Sequence, residues 1–379
     1  MDSSSYNTGK SKSPYLHFIL FASMGCMVFI FVAHVWHQTS RAQENVRIAS
    51  AIPKEKPPRQ VVKGVYLTAY SANNPKKVDE IIDLIGKTEL NAVVIDIKDY
   101  SGHILYDSNL DIVNTLGTEN KQMHNLQAMI KKLHDHHIYV IARQTVFQDP
   151  LLAEKKSEWA IRSKQGGLWH DKKGLSWVDP TREEVWRYNV AIAKEAIRLG
   201  FDEINFDYVR FPSDGDMSDV VYTNGNKRRY EIMHEFYAFL HTELGQEPAW
   251  ISIDMFGFAM EKEGTNDMNI GQRLVDAVTE VDYICPMMYP SHYPPGHLGF
   301  DNPAEHPGEV IEHGMQKGVP RFKYGRAAVR PWIQAFNLGA VYDADKIRAE
   351  IDAVEKYSDA GWLLWNASNR YSDAGLKKE

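Results

Sequence analysis

The chain has 379 residues, of which 44% are hydrophobic and 25% are charged. This composition supports a large buried core and excludes a disordered or fibrous protein. The formal net charge of −7 leaves no overall basic surface, so we expect no nucleic-acid partner and a substrate that is neutral or mixed in charge.

An apolar run near the amino terminus, Tyr15 to Trp36, contains no Asp, Glu, Lys or Arg. Because about 20 apolar residues cross a bilayer as a helix, residues 15–37 are predicted to form a single membrane anchor after a short tail, residues 1–14. A cleaved signal with its exit at Ser40-Arg41-Ala42 is the alternative. The prolines and mixed charges of residues 38–60 predict a flexible tether, with the remaining domain outside the cytoplasm at the cell membrane.

Short β-rich runs alternate with helical patterns in residues 61–379. The predicted strands are Val62–Tyr70, Ala92–Asp99, Tyr139–Phe147, Glu203–Phe211, Ala249–Phe258, Asp282–Tyr289, Tyr324–Val329 and Gly361–Ser368. The predicted helices are Pro75–Lys87, Met123–His136, Thr181–Leu199, Lys227–Leu244, Ile270–Thr279, Ala304–Lys317 and Ala344–Ser358. Eight such units predict an α/β fold of the (β/α)8 TIM barrel type. An open doubly wound sheet is the alternative, but no Gly-x-Gly-x-x-Gly follows the first strand.

Polar and aromatic side chains lie near the ends of the predicted strands, where a TIM barrel carries its functional groups. The candidate substrate-binding residues are Tyr66, Asp96, Lys98, Arg143, Tyr208, Arg210, Met287, Tyr289, Trp332, Gln334, Trp365 and Asn366. Packing alone does not explain so many charged groups, because a buried charge that lacks a partner costs several kcal/mol. Together they predict a cleft at the carboxyl end of the barrel.

Two carboxylates in this set, Asp207 and Asp254, fall near the ends of neighbouring strands. Neighbouring strands are about 4.8 Å apart, which suits the roughly 5 to 5.5 Å between the acids of a retaining glycosidase. Asp207, near Arg210 and Lys98 in the predicted strand ends, would be held ionised as a nucleophile. Asp254, flanked by apolar residues, would have its pKa raised by desolvation and act as the acid/base.

Other roles for these acids stay open. Asp207 and Arg210 could form a structural ion pair at the strand end. Asp254 could be a hydrogen-bond acceptor, with Glu261 or Glu263 in the following loop supplying the acid instead.

Asp96 could bind sugar or pair with Lys98 or Arg143, and the remaining aromatic and histidine residues also allow two interpretations. The loop tryptophans that could extend a groove or only pack it are Trp159, Trp169 and Trp177. His292 and His297 could contact a ligand. Because no cluster has metal-ligand spacing, we expect no catalytic metal and no cofactor.

Four motifs carry a family resemblance over roughly Val61 to Asn369. They are Gly64-Val65-Tyr66-Leu67-Thr68, Val94-Ile95-Asp96-Ile97-Lys98-Asp99, Phe206-Asp207-Tyr208-Val209-Arg210-Phe211-Pro212 and Arg330-Pro331-Trp332-Ile333-Gln334-Ala335-Phe336. The chain resembles a glycoside hydrolase family first catalogued as a domain of unknown function and related to α-amylase and chitinase-like barrels. The resemblance implies a TIM barrel that hydrolyses sugars, with Asp207 matching the fourth-strand nucleophile of amylase-like barrels. Val209 stands where chitinase-type barrels carry their proton-donating glutamate, so their substrate-assisted mechanism is not implied.

Two hypotheses follow. In the first, the chain is a membrane-anchored glycosidase that cleaves an envelope or extracellular polysaccharide. In the second, which the missing glutamate at Val209 supports, it is a catalytically inactive barrel that binds glycan or scaffolds envelope proteins.

Overall fold

The computed structural model describes residues 55–378, in which eight parallel strands form a closed barrel. The barrel strands are β1 (Val62–Leu67), β2 (Ala92–Lys98), β3 (Tyr139–Thr145), β4 (Glu203–Asp207), β5 (Trp250–Phe256), β6 (Tyr283–Met288), β7 in two pieces (Ala328–Val329 and Trp332–Gln334) and β8 (Gly361–Trp365). Each strand pairs in parallel with the next along the chain, and β8 pairs with β1. The predicted (β/α)8 TIM barrel is therefore confirmed.

Seven helices connect successive barrel strands on the outside. They are α1 (Pro75–Ile85), α2 (Leu126–Asp135), α3 (Glu183–Leu199), α4 (Arg229–Leu244), α5 (Leu274–Ala277), α6 (Pro307–Gly318) and α7 (Ala344–Glu355). The longest, α3, buries one apolar face and ends at Gly200, whose φ of 109° is a left-handed conformation that glycine adopts without strain. The strand that follows this glycine carries Asp207.

The connections on the carboxyl side of the barrel contain further short elements. The short helices are Ala69–Ala72, Asp111–Leu116, Pro150–Lys155, Ser157–Trp159, Gly257–Met260, Pro290–His292, His297–Gly299 and Pro303–Glu305, and Val319–Tyr324 lies between α6 and β7. The short strands are Ile104–Tyr106, Glu119–Met123, Arg162–Ser163 and Val220–Val221. The last two pair with each other and so join the loops that follow β3 and β4.

The strand predictions were too long at their carboxyl ends and misplaced β7. The strand β4 ends at Asp207 because Tyr208 takes a left-handed φ of 52°, so the prediction that Val209 continues the strand face is wrong. The predicted seventh strand, Tyr324–Val329, begins too early, because Val319–Tyr324 is a 3-10 helix. The strand instead extends past Pro331, which has no N–H to donate and which separates its two pieces.

Two layers of side chains form the core. One layer lies between strands and outer helices, and the other fills the barrel with residues such as Tyr66, Val94, Ile141, Cys285 and Leu363. A separate buried ion pair joins Arg330 to Glu203, the first residue of β4. The amino end of the barrel is therefore closed by side chains, and the carboxyl end carries the loops.

The predicted tail, membrane anchor and most of the tether, residues 1–54, lie outside the described residues. No helix within residues 55–378 combines the length and the apolar character that a membrane crossing requires. The last residues of the predicted tether contact the barrel, since Lys56 pairs with Asp282 at 2.9 Å and the indole of Trp250 donates to the Pro57 carbonyl at 3.0 Å.

Candidate active site

A buried guanidinium, that of Arg143 on β3, lies among three carboxylates at the carboxyl end of the barrel. It donates to Asp96 Oδ1 on β2 at 2.6 Å and to Asp207 Oδ2 on β4, and its Nε lies 4.0 Å from Asp254 Oδ2 on β5. All four residues are at least nine-tenths buried. Neighbouring strands in parallel register bring these groups together, so the barrel itself builds the cluster.

Asp207 is held by two donors. Its Oδ2 accepts from Arg143, and its Oδ1 accepts from the backbone N–H of Tyr208 at 2.6 Å. The left-handed conformation of Tyr208 folds that N–H back onto the carboxylate. Arg143 supplies the direct positive contact, which the sequence did not predict, and Arg210 interacts with Asp207 electrostatically as expected. The expectation for Lys98 is wrong.

Lys98 faces away from this cluster. Its ammonium group pairs with Asp149 at 2.7 Å and donates to the Thr145 carbonyl at 2.8 Å, and both charged side chains are fully buried. The pairing of β2 with β3 shifts register between Asp96 and Lys98, so the two side chains do not keep the regular alternation of a strand. Asp149 also accepts from the N–H of Leu152, so the pair anchors the loop that follows β3.

Asp254 has a different environment from Asp207. Its Oδ1 accepts from Asn205 Nδ2 at 2.9 Å and from Trp332 Nε1 at 2.8 Å, while its Oδ2 has no hydrogen-bond partner among residues 55–378. Burial raises the pKa of Asp254 well above the usual value, and the charge of Asp207 raises it further against the opposing effect of Arg143. The predicted direction of this shift is confirmed. Asp254 can therefore carry a proton on Oδ2. Its Oδ1 also accepts two hydrogen bonds, which is the acceptor role that the sequence left open for this residue.

Aromatic rings form one wall beside the charged cluster. Tyr66 and Trp365 stack with their ring centroids 4.0 Å apart, and Trp332 meets Trp365 edge-on at 5.5 Å. The Arg143 guanidinium lies 5.1 Å from the Trp365 ring, and the Tyr66 hydroxyl donates to Asp96 Oδ2. Trp365 is only half-buried, so part of its surface is free for a sugar ring.

The matching family model is described as "Putative glycosyl hydrolase domain", and it covers residues 64–371. The chain belongs to this family. The assignment makes the chain a glycosyl hydrolase domain, and its candidate active site is the cluster of Asp207, Asp254 and Arg143 at the carboxyl end of the barrel. No curated protein sequence matches the chain.

Solved structures resemble this glycosyl hydrolase domain in fold. The PgaB (BpsB) glycoside hydrolase domain from Bordetella bronchiseptica has 12% identity and a TM-score of 0.58, with 83% of this chain and 97% of that chain covered. The α-galactosidase TtGalA from Thermus thermophilus, in complex with stachyose, has 10% identity and a TM-score of 0.52, with 86% and 66% covered. A hypothetical protein from Ruminiclostridium thermocellum is 39% identical over 50% of this chain and 96% of its own, with a TM-score of 0.47.

Several predicted binding residues of the glycosyl hydrolase domain hold loops. Gln334 is fully buried, accepts from the Ser291 N–H at 3.1 Å and donates to the Phe336 carbonyl at 2.9 Å. Asn366 donates to the Ala335 carbonyl at 2.6 Å. The polar groups of both side chains form hydrogen bonds with backbone atoms. Gln334 and Asn366 therefore contribute to a substrate site by holding the loops around it.

The strand β6 brings two further predicted residues to the cleft. Met287 is half-buried and lies in register with Phe256 on β5 and Trp332 on β7. Burial raises the pKa of Tyr289, and the nearby charges of Asp254 and Asp207 act in the same direction. Tyr289 therefore lies within electrostatic reach of both carboxylates.

The remaining candidates lie around the rim. Trp169 and Trp177 are buried and donate to Asp216 O at 2.9 Å and Asp171 Oδ2 at 3.0 Å, so they pack the loop after β3. Glu261 lies 3.4 Å from His297, in a cluster separate from Arg143. No group of His, Cys, Asp and Glu side chains within residues 55–378 has the arrangement of a metal site.

Sequence reasoning did not assign roles to Asn205, Phe256 and Tyr371. Asn205 and Phe256 each lie two residues from a catalytic candidate, so strand alternation places them on the same face, and that signal could have found them. Tyr371 lies beyond β8, where its hydroxyl donates to the Tyr66 carbonyl at 2.9 Å. No strand pattern reaches this residue, so the sequence carries no signal for it.

Proposed function

We propose that the chain hydrolyses O-glycosidic bonds of a polysaccharide, with Asp207 as the nucleophile and Asp254 as the acid/base. One observation carries the proposal: the two carboxylates end neighbouring strands and approach the same guanidinium, yet their surroundings differ. Asp207 accepts from a cation and a backbone N–H, whereas burial raises the pKa of Asp254. Two carboxyl groups with opposite environments are what double-displacement glycoside hydrolysis requires.

In the first step, the protonated Asp254 donates its proton to the glycosidic oxygen as the bond to the anomeric carbon breaks, and an Asp207 oxygen bonds that carbon. The product is a glycosyl ester of Asp207 and a released sugar hydroxyl. In the second step, Asp254 accepts a proton from water, the water oxygen bonds the anomeric carbon, and the Asp207 carboxylate leaves. The donors Arg143 and the Tyr208 N–H stabilise the carboxylate as it leaves.

The aromatic wall supports a saccharide as substrate. The half-buried Trp365, held by its contacts with the buried rings of Tyr66 and Trp332, offers flat apolar surface against which a sugar ring can lie. The loop-anchoring residues Gln334 and Asn366 keep the surrounding loops in place.

An inactive glycan-binding or scaffold barrel is the second candidate, and Val209 favours it. This residue is fully buried, and its carbonyl accepts from Gln272 at 3.3 Å, so it supplies no acid where chitinase-type barrels carry their glutamate. Catalysis then depends on Asp254 as the proton donor. A barrel in which Asp254 cannot protonate a bound glycan would bind without cleavage.

Reducing-end release separates the two candidates. The full-length chain, purified with detergent, is incubated with a panel of envelope, capsular and extracellular polysaccharides beside its Asp207→Asn and Asp254→Asn variants. The hydrolase account expects cleavage of at least one glycan, loss of cleavage in Asp207→Asn, and retained binding by that variant. Binding of several glycans with cleavage of none supports the scaffold instead.

The anchoring of this enzyme at the cell membrane is part of the same proposal. The apolar run over residues 15–37 and the prolines of residues 38–60 support a single-pass anchor with an extracytoplasmic domain. Deletion of residues 1–37 should move the chain from the membrane to the soluble fraction. Protease added to intact cells should degrade the domain of the complete chain, and protection of the domain would contradict the proposed orientation.

A further inference from the structure

Arg210 lies three residues after Asp207, in an aromatic surround at the rim of the cleft. Its guanidinium carbon is 5.0 Å from the Trp177 ring, 5.3 Å from the Tyr208 ring and 4.8 Å from the Phe256 ring. These rings come from the loop after β3, the residue after β4 and the end of β5. Arg210 is therefore built into the wall that adjoins both proposed catalytic carboxylates, with 9% of its surface exposed.

Within residues 55–378, one of the Arg210 nitrogens has hydrogen-bond partners. Nη1 donates to the Phe211 carbonyl at 3.0 Å and to Ser213 Oγ at 3.3 Å. Nε and Nη2 have no hydrogen-bond partner among residues 55–378, and neither is sealed from solvent. A guanidinium has five N–H donors, so three of them point to solvent-accessible space.

Another arginine of the same chain shows what the free edge can do. Arg273 uses Nε and Nη2 to bind both oxygens of Asp276, each at 2.5 Å. The corresponding edge of Arg210 has no carboxylate within the described residues. This edge presents two parallel donors that match a carboxylate or another planar or tetrahedral oxyanion.

Three carboxylates act electrostatically on Arg210, those of Asp207, Asp214 and Asp171. Two of them are bound by other donors. Asp207 is bound by Arg143 and the Tyr208 N–H. Asp171 accepts from the Trp177 indole at 3.0 Å and from the N–H groups of Lys173 and Leu175 at 2.9 and 3.0 Å. Burial lowers the pKa of Arg210, yet a guanidinium stays protonated at ordinary pH. A nearly buried cation three residues from Asp207 thus retains a bidentate edge that has no partner among residues 55–378.

We propose that the free edge of Arg210 binds an acidic substituent of the substrate, so that the polysaccharide cleaved at Asp207 carries a carboxylate or sulfate on a sugar near the scissile bond. The inference rests on the proposed hydrolase function of the cleft and names its substrate class. The net charge of the chain led us to expect a neutral or mixed-charge substrate. Arg210 instead indicates an acidic substituent, because recognition depends on the charges at the site and not on the net charge of the chain.

Binding measured without turnover tests the proposal. The parent is the full-length Asp207→Asn chain, and the probes are matched pairs: polygalacturonate, alginate and hyaluronan before and after reduction of their carboxyl groups, and heparin before and after desulfation. We expect at least one acidic member to bind at least about tenfold more tightly than its neutral counterpart. The carboxyl and sulfate pairs then show which oxyanion is recognised.

Repeating these binding titrations with a second substitution shows whether Arg210 causes the preference for acidic glycans. Arg210→Met in the Asp207→Asn background should lose at least about tenfold in affinity for the acidic member, and Arg210→Lys should lose less. Arg198→Gln, which removes an exposed positive charge from the end of α3, is the charge control and should not change the affinity. Circular dichroism of each variant confirms its fold, and Arg210→Lys keeps the test valid where Arg210→Met unfolds.

Three results overturn the proposal: no binding of any acidic member, no preference for acidic members, or a preference that both Arg210 variants retain. Failure of the hydrolase function gives a different outcome. An Arg210-dependent preference for acidic glycans without any reducing-end release removes hydrolysis and leaves the subsite. Cleavage of acidic and neutral glycans at equal rates by the natural chain, unchanged in Arg210→Met, removes the subsite and leaves hydrolysis.

Discussion

Arg143 and Asp254 approach to 4.0 Å, Nε to Oδ2, without a hydrogen bond between them. The same guanidinium binds Asp96 and Asp207 directly. Arg143 thus opposes the rise in the pKa of Asp254 but does not cancel it. Unequal contact with one cation gives the two proposed catalytic carboxylates different electrostatic surroundings.

Replacing Arg143 tests whether its direct contacts hold Asp96 and Asp207 in the site. Arg143→Met leaves Asp96 and Asp207 buried without a cation, which should cost roughly 3 to 5 kcal/mol of unfolding free energy and abolish turnover. Urea unfolding and kcat/KM on the best glycan measure the two effects. Arg143→Lys keeps the charge but not both contacts and should be intermediate. Normal turnover in Arg143→Met would exclude the proposed role of this residue.

The acid should be visible in the pH profile of kcat/KM. Because the pKa of Asp254 is raised, its protonated form persists above the usual carboxyl range, and kcat/KM should fall as pH rises through that pKa. Asp254→Asn should lack this alkaline limb and retain most of its kcat/KM on aryl glycosides whose leaving group needs no proton, while kcat falls because the base of the second step is missing. Burial also raises the pKa of Glu261, so Glu261→Gln is the matched control. Loss of the limb in Glu261→Gln instead would assign the acid to that residue.

The same group should affect stability. The folded-state pKa of Asp254 lies above the unfolded value of about 3.9, so its contribution is fully present below that pH and is lost as pH rises through the folded pKa. Asp254→Asn is neutral at every pH and should show a shallower fall in unfolding free energy from about pH 4 upward. Parallel curves for both chains in urea titrations across that window would contradict the assignment.

The pair Lys98–Asp149 should behave as structure. Removing one partner of a fully buried ion pair leaves an uncompensated charge, so Lys98→Met should lose roughly 3 to 5 kcal/mol of unfolding free energy. The double variant Lys98→Met/Asp149→Leu should recover part of this loss. The folded molecules of each variant should have the same KM as the natural chain. A raised KM in Lys98→Met without a loss of stability would show that Lys98 contributes to substrate binding.

Trp365 should contribute through its ring. Trp365→Ala removes the partner stacked on Tyr66 at 4.0 Å and should raise KM for an oligosaccharide roughly five- to tenfold, with a smaller effect on kcat. Trp365→Phe keeps a flat ring and should recover part of the affinity. An Ala variant that loses kcat alone would show that Trp365 positions Asp254 through Trp332 and does not bind sugar.

Much of the barrel could be predicted because its strands are regular. Eight β-rich runs separated by amphipathic helices permit few topologies, and all eight strands occur near their predicted positions. The errors arise where the local backbone conformation departs from the regular two-residue repeat of a β-strand. The left-handed Tyr208 ends β4 at Asp207, and Pro331 divides a strand that the pattern ended too early.

The site was less predictable for the same reason. The order of the β/α units placed Asp207 and Asp254 on neighbouring strands, and the structure agrees. The predicted strand-end position also placed Lys98 near Asp207, but the register shift after Asp96 accompanies its pairing with Asp149. The cation that contacts Asp207 depends on the register of three neighbouring strands. A shift of one residue in that register would have turned Arg143 away from Asp207.

The configuration of azide products tests the central claim most directly. The Asp207→Gly and Asp254→Ala chains are supplied with sodium azide and an activated aryl glycoside of the sugar found in the cleavage products, and the glycosyl azides are analysed by NMR. The account predicts an azide of inverted configuration from Asp207→Gly, in which azide replaces the nucleophile, and one of retained configuration from Asp254→Ala, in which azide attacks the glycosyl ester. Full activity of Asp207→Gly without azide, or a retained product from it, would contradict Asp207 as the nucleophile.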